Sequence, residues 1–237
     1  MSFIFKHYQP FFLFSVYNFL HAFGGGILNQ EGEVIFSAGE NIRAFAWLRE
    51  FIRKGRIELS RSHLENRQLF AGNKLAFVIE GPWLEGIIPT LNRSYRETMG
   101  DIEFSVLPKG PNGVSGSVLW NHTLGVFRQC RNRELALELI RFLTEDPAAG
   151  ELYYSMTRML PVRVDELSRN PVYDDPFGRV LRRQMETAFP IPFADSPFFM
   201  LSITFCAKAA REILLGDADI ASTLNTCAEL LKELYKR

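Results

Sequence analysis

The sequence carries no excess of charge of either sign. Lysine plus arginine and aspartate plus glutamate both number 27, and no block of like charge stands out. The electrostatic footprint expected of a nucleic-acid or anionic-membrane binder is therefore missing, which points to a small or uncharged partner. Cysteine is scarce: Cys130, Cys206 and Cys227 lie far apart with no CxxC spacing, so neither a zinc site nor a disulfide framework is indicated, and each reads as a small buried hydrophobe. Histidine is scarce as well, and His7, His21, His63 and His122 have no second ligand at metal spacing. No metal or cofactor is expected. Long hydrophobic runs are absent too. PFFLFSVYNFL (10–20) has the length of a signal-peptide apolar region but is too short to span a bilayer, follows a weakly basic stretch and precedes no small-x-small cleavage site. It reads as a buried strand-to-helix segment, and the chain as given is expected to carry no export signal.

Catalytic motifs are also lacking. There is no G-x-S-x-G, no Ser-x-x-Lys and no Walker loop, and the glycines Gly110, Gly113 and Gly116 lack the Lys-Ser/Thr and following helix that phosphate binding needs. They read as a turn. The carboxylate pairs Glu145 and Asp146, and Asp174 and Asp175, are weighed as acid and base, but solvated loop and helix-end carboxylates are commoner. Nothing here demands an enzyme.

What is present is an ordinary globular composition, 47% hydrophobic and 23% charged, with aromatics at 13% including 21 phenylalanines, enough to line a pocket as well as a core. Alternating elements indicate an α/β fold in one large domain or two modest ones. The stretch 37–55 has Ile42, Phe45, Leu48 and Ile52 on one helical stripe, with Gly55 as its stop. In 132–146, Asn132 is placed as N-cap, with Ala136, Leu139, Ile140 and Leu143 facing inward. A long apolar helix ends at Gly216, and Asp219 caps a last helix with Ile220, Leu224, Cys227, Leu231 and Leu234 on one face. Strands are expected at LAFVI (75–79), IEFSVLP (102–108) and VLWNHTLGVF (118–127).

The stretch FAGNKLAFVIEGPW (70–83) is the most telling. Its strand-like run empties into Gly81-Pro82-Trp83, with Pro82 expected in the first turn of a helix, which would hold Trp83 at a strand's carboxyl end where open α/β sheets bind ligands. A tryptophan face suits stacking on a sugar ring; the alternative is a residue that only fills a helix–sheet core.

This stretch resembles the signature of carbohydrate-type extracytoplasmic solute-binding proteins of ABC importers, the maltose- and trehalose-binding group. FLHAFGGGIL (19–28), VLPKGPNGVSG (106–116), NRELALELIRFLTEDPAAGELY (132–153), MLPVRVDEL (159–167) and the closing AAREILLGDADIASTLNTCAELLKEL resemble that family's segments in order and approximate spacing. The resemblance implies a type II periplasmic-binding-protein-like fold, with 1–237 as the carboxyl-terminal portion, mostly the carboxyl-terminal lobe, and 118–170 as a segment of the other lobe. It implies capture of a mono- or oligosaccharide in an inter-lobe cleft, without bond cleavage, and delivery to an ABC permease in the membrane, in a periplasmic or extracytoplasmic setting. The ligand-binding residues it implies are Trp83, Trp120, Asn121, His122, Phe198 and Phe199. For Phe198 and Phe199 a packing role stands beside this one, and for His122 a satisfied or solvent-facing imidazole does.

Two departures matter. Asn73 stands where relatives have glycine, a tolerable change because asparagine also adopts the left-handed conformation. Around Tyr8 the sequence reads YQPFFLF where relatives often place a carboxylate ligand, so that group does not carry over. The expected apolar surplus would favour a homodimer. A glycan-acting cleft enzyme and a non-binding interaction module remain as alternatives.

Overall fold

The computed structural model describes residues 12–92, 102–119 and 121–236, together with the backbone of 2–4. The residues divide into two compact units, Met1–Ile79, Leu107–Leu119 and Thr187–Arg237 in the first, and Glu80–Val106 and Trp120–Glu186 in the second.

The first unit is built on four helices: α1 (Leu13–Ala22), α2 (Gly39–Arg53), α9 (Phe199–Leu215) and α10 (Ile220–Tyr235). The segment LFSVYNFLHA is apolar nearly all round, which is the pattern of a helix enclosed by others. Accordingly Leu13, Val16, Tyr17 and Leu20 of α1 are all buried. Phe45 and Leu48 of α2, Ile203 and Ile213 of α9, and Leu224 and Leu231 of α10 complete the core. Each such side chain contributes on the order of 2 kcal/mol by leaving water.

Ends and turns follow from local chemistry. α1 stops in a Schellman arrangement: Gly24 takes φ +84°, its N–H donates to His21 O at 2.9 Å, and the Gly25 N–H donates to Leu20 O at 2.9 Å. Asp219 caps α10 by accepting from Ser222 N at 2.8 Å. Arg49 donates to Ala218 O at 2.9 Å and so fastens α2 to the α9–α10 turn. The glycines 110–116 form the expected turn, in which Gly113 N donates to Gly110 O at 2.9 Å. β1 (Ser2–Ile4) and β2 (Glu58–Ser60) pair in parallel, Phe3 opposite Leu59. α3 (His63–Ala71) starts from a Ser62 cap and ends ahead of Asn73, which does take the left-handed conformation, φ +55°.

The second unit holds α4 (Leu84–Leu91), α5 (Arg133–Glu145), α6 (Pro147–Thr157), α7 (Val164–Arg169) and α8 (Pro176–Met185). Asp146 and Asp175 are N-caps, accepting from Ala149 N at 3.0 Å and Gly178 N at 2.6 Å. Those carboxylates are thus helix starters. The core of this unit is small: Leu84, Ile88, Tyr154, Tyr173 and Phe177.

Three expectations are corrected. The runs 75–79, 102–108 and 118–127 form no ladder among the described residues; only Val118 makes an isolated bridge, to Phe189. A strand needs a neighbour to complete its backbone hydrogen bonds, and an apolar run alone does not supply one. The helix expected from Pro82 begins at Leu84, with Pro82 in a turn and Trp83 in the N-cap position. Finally, α5 buries no residue: Leu139 and Leu143 are 55% and 46% exposed, although the helix and its Asn132 N-cap position are where the pattern put them. Its apolar stripe has no facing layer among the described residues.

Candidate functional site

Trp83 sits in the second unit at the entry to α4, half-buried. Its indole lies flat against Gly81, where a Cβ would fall 2.2 Å from ring carbon Cη2. That close approach is why glycine precedes Pro82. The turn is closed by the Leu84 N–H donating to Gly81 O at 3.1 Å, and the Ile87 N–H reaches Trp83 O at 3.2 Å. The indole is therefore held by backbone on one side, on a segment that α4 prolongs.

Two residues on, Glu85 pairs with the Arg158 guanidinium at its Nε, and Arg158 Nη2 pairs with Asp175 Oδ2 at 2.7 Å. Arg158 ends α6 in the left-handed conformation, φ 59°. Its guanidinium carbon stands 4.6 Å from the Tyr154 ring centroid and 4.8 Å from that of Phe177. A planar cation suits this place, since it can meet two carboxylates in its plane while stacking on aromatic faces. The Tyr154 hydroxyl donates to Asp175 Oδ1 at 2.9 Å. Burial, and then that carboxylate, push the Tyr154 phenol up to about 12. Burial raises Asp175, but the Gly178 N–H, Arg158 and the Tyr154 hydroxyl outweigh it and hold the carboxyl below its usual range. A second pair lies beside it: the Tyr173 hydroxyl donates to Glu166 Oε1 at 2.6 Å, and burial followed by that bond raises the phenol.

Of the other residues implied by the resemblance, His122 is exposed and its Nδ1 meets the Tyr153 hydroxyl, which also approaches Met159 Sδ at 3.3 Å. Asn121 is exposed, its Oδ1 accepting from Thr123 Oγ1 at 3.2 Å. Trp120 lies outside the described residues. Both α4, which follows Trp83, and Tyr153, which holds His122, meet at α6. Phe198 and Phe199 belong to the first unit. Phe198 is the N-cap residue of α9 and meets the Tyr235 ring edge-on at 6.0 Å, while Phe199 packs against the core.

The Glu85–Arg158–Asp175–Tyr154 network was not legible, because its members are separated by many residues and only folding joins them. The Asp-Pro start of α8 was its one local signal. Among the described residues there is no cluster able to hold a metal ion, and no helix is long and apolar enough to cross a membrane.

These elements define the fold of type II periplasmic-binding proteins. In solved structures the chain is similar to the maltose-bound MalE3 of T. maritima, at 19% identity and TM-score 0.81, with 98% of this chain and 60% of that one covered. It is similar to the GacH receptor of Streptomyces glaucescens, solved unliganded and with acarbose, at 16% identity and TM-score 0.83, covering 99% and 59%. A third is the maltose-maltodextrin binding protein of Alicyclobacillus acidocaldarius, at 18% identity and TM-score 0.74, covering 92% and 58%. The chain thus spans about 60% of the length of the solved structures it matches. No family model and no curated protein matches the sequence.

Proposed function

We propose that the chain is the carboxyl-terminal portion of a carbohydrate receptor of an ABC importer, which captures a small sugar reversibly and passes it to a membrane permease outside the cytoplasm. The observation that carries this reading is Trp83, a half-buried indole braced on Gly81 at the entry of a helix. A rigid aromatic face of this kind loses little rotamer freedom on stacking against a sugar ring. The solved structures support the substrate class: they include complexes with maltose, tagatose, acarbose and maltotetraose. Trp83, Trp120, Asn121, His122, Phe198 and Phe199 are the proposed ligand-binding residues, with the Asn121 amide and the His122 ring offering hydrogen bonds to hydroxyls.

In the same reading, residues 118–170 belong to the lobe opposite the one that carries most of the chain, and the compactness of 120–186 as part of its own unit supports this. The exposed apolar face of α5 is the surface for pairing of two copies.

Titration calorimetry of the purified chain with maltose, maltotetraose, acarbose and tagatose, paired with a reducing-sugar assay, tests the function. Saturable heat with no sugar released supports a receptor. Turnover of any glycan would replace it with the enzyme reading; weak heat is what one portion of a two-lobe clamp gives, and the absence of a thermal shift with any of the four would leave an interaction module.

A further inference from the structure

α9 and α10 form an antiparallel hairpin around Gly216. Its far end is pinned where Ser202 Oγ and Tyr235 Oη lie 2.8 Å apart. Counting between that bond and the turn, Ile213 falls level with Ile220, Cys206 with Cys227, and Ile203 with Leu231, and all six are buried. The two cysteines thus face each other across the packed hairpin, both buried in the same core. Both are free thiols, fully or almost fully enclosed, and the alanines beside them, Ala207, Ala210 and Ala228, are buried as well. Side chains this small put little bulk between the two backbones, and a cross-link requires them close.

We propose that Cys206 and Cys227 are a cross-linking site, closing to a disulfide that staples α9 to α10. The bond would set the two sulfurs ~2 Å apart in the space that the pair already fills. The oxidant is a small disulfide, R–S–S–R. One cysteine, as thiolate, attacks it, forming a mixed disulfide and releasing the first R–SH; the second thiolate displaces the second R–SH as the Cys206–Cys227 bond forms. Two electrons pass to the reagent, and the two thiol protons leave with the released thiols.

Burial, with Cys227 next to it, raises the Cys206 thiol well above its ordinary value. The enclosed pair is therefore a poor nucleophile, and the bond forms as the hairpin closes during folding rather than afterwards. Cys130, half-buried in the second unit, serves as the internal control.

The test refolds the full chain in a buffer of oxidised and reduced glutathione, traps it under denaturing conditions without reductant, and counts thiols with a chromogenic disulfide reagent. The expected count falls from three per chain to one, that of Cys130. Peptide mass mapping should then join the Cys206 and Cys227 peptides, two hydrogens lighter than their sum. The oxidised chain should also melt at a higher temperature than the same sample after reduction. Three thiols, a link through Cys130, or a link between chains would each overturn the proposal. Because the comparison needs only the unaltered sequence, it does not depend on a core cysteine variant folding.

Discussion

The side-chain amide of Asn41 grips the peptide of Gly26 from both sides: the Gly26 N–H donates to Oδ1 at 3.0 Å, and Nδ2 donates to Gly26 O at 2.7 Å. The same Nδ2 also donates to Ile35 O at 3.1 Å and Phe36 O at 3.0 Å, and Asn41 is fully buried. One side chain on α2 therefore fixes both limbs of the loop that follows α1. Gly25 is explained by this grip, since a Cβ there would stand 2.1 Å from Asn41 Oδ1.

Replacing Asn41 with leucine should destabilise the first unit by about 3 kcal/mol, because several buried backbone groups lose their partners at once. Urea unfolding followed by far-ultraviolet circular dichroism measures this. A midpoint unchanged from the parent chain would mean that water replaces the amide and that the loop is held by other contacts. Gly25→Ala should fail in the same direction, through displacement of the same side chain.

The Arg158 network makes a two-sided pH prediction. Asp175 has its pKa depressed in the folded chain, so its contribution is present above the unfolded carboxyl range near ~3.9 and is lost as the pH falls through the folded value. Tyr154 has its pKa raised, so its contribution is complete below the unfolded phenol value of ~10 and is lost as pH rises through about 12. Ultraviolet difference titration should show Tyr17, Tyr154 and Tyr173 ionising later than the exposed tyrosines, all three being raised by burial, and Tyr154→Phe should reduce that late step by one phenol. Arg158→Met should cost about 2 kcal/mol, less than a fully buried pair, because the Asp175 side chain is 33% exposed. If the late step keeps its full amplitude in Tyr154→Phe, Tyr154 is not one of its members.

The sequence made the helices of the first unit legible because their information is local. The stripe of α2, the Asp219 cap and the left-handed Asn73 all depend on residues within a turn or two. What was not legible depends on distant partners. LAFVI has strand-like residues but finds no neighbouring strand among the described residues, and Asn41 reads as one more polar residue until the loop closes on it. Trp83 was picked out as a candidate from its neighbours in sequence, whereas Arg158 was missed because Glu85 and Asp175 reach it from far along the chain.

The helix α5 gives a prediction about association. Leu135, Leu139, Phe142 and Leu143 lie on one stripe and are 62%, 55%, 55% and 46% exposed, an apolar surface that water disfavours. Sedimentation equilibrium should show dimers in the micromolar range. The double change Leu139→Glu with Phe142→Glu should shift the population to monomer without altering the helical signal. A parent chain that stays monomeric at high concentration would remove α5 as a pairing surface.

Trp83 separates the ligand reading from the packing reading most sharply. If its free face stacks on a sugar, Trp83→Ala should weaken sugar binding by on the order of 2 kcal/mol, the scale of a binding hot spot. The cost in stability should stay well below the ~3–5 kcal/mol of truncating an enclosed tryptophan, because the indole is only half-buried and rests on backbone at Gly81. Gly81→Ala probes the same geometry without touching the ring: its Cβ would lie 2.2 Å from Cη2, so the indole must swing away. Under the ligand reading Gly81→Ala then weakens binding nearly as much as Trp83→Ala, and indole fluorescence shifts to the red as the ring becomes wetter. Calorimetry and emission spectra on the two variants decide the matter. Should Trp83→Ala unfold the chain while Trp83→Phe binds sugar normally, Trp83 is a packing residue, and the ligand contacts must be sought around Trp120, Asn121 and Phe198.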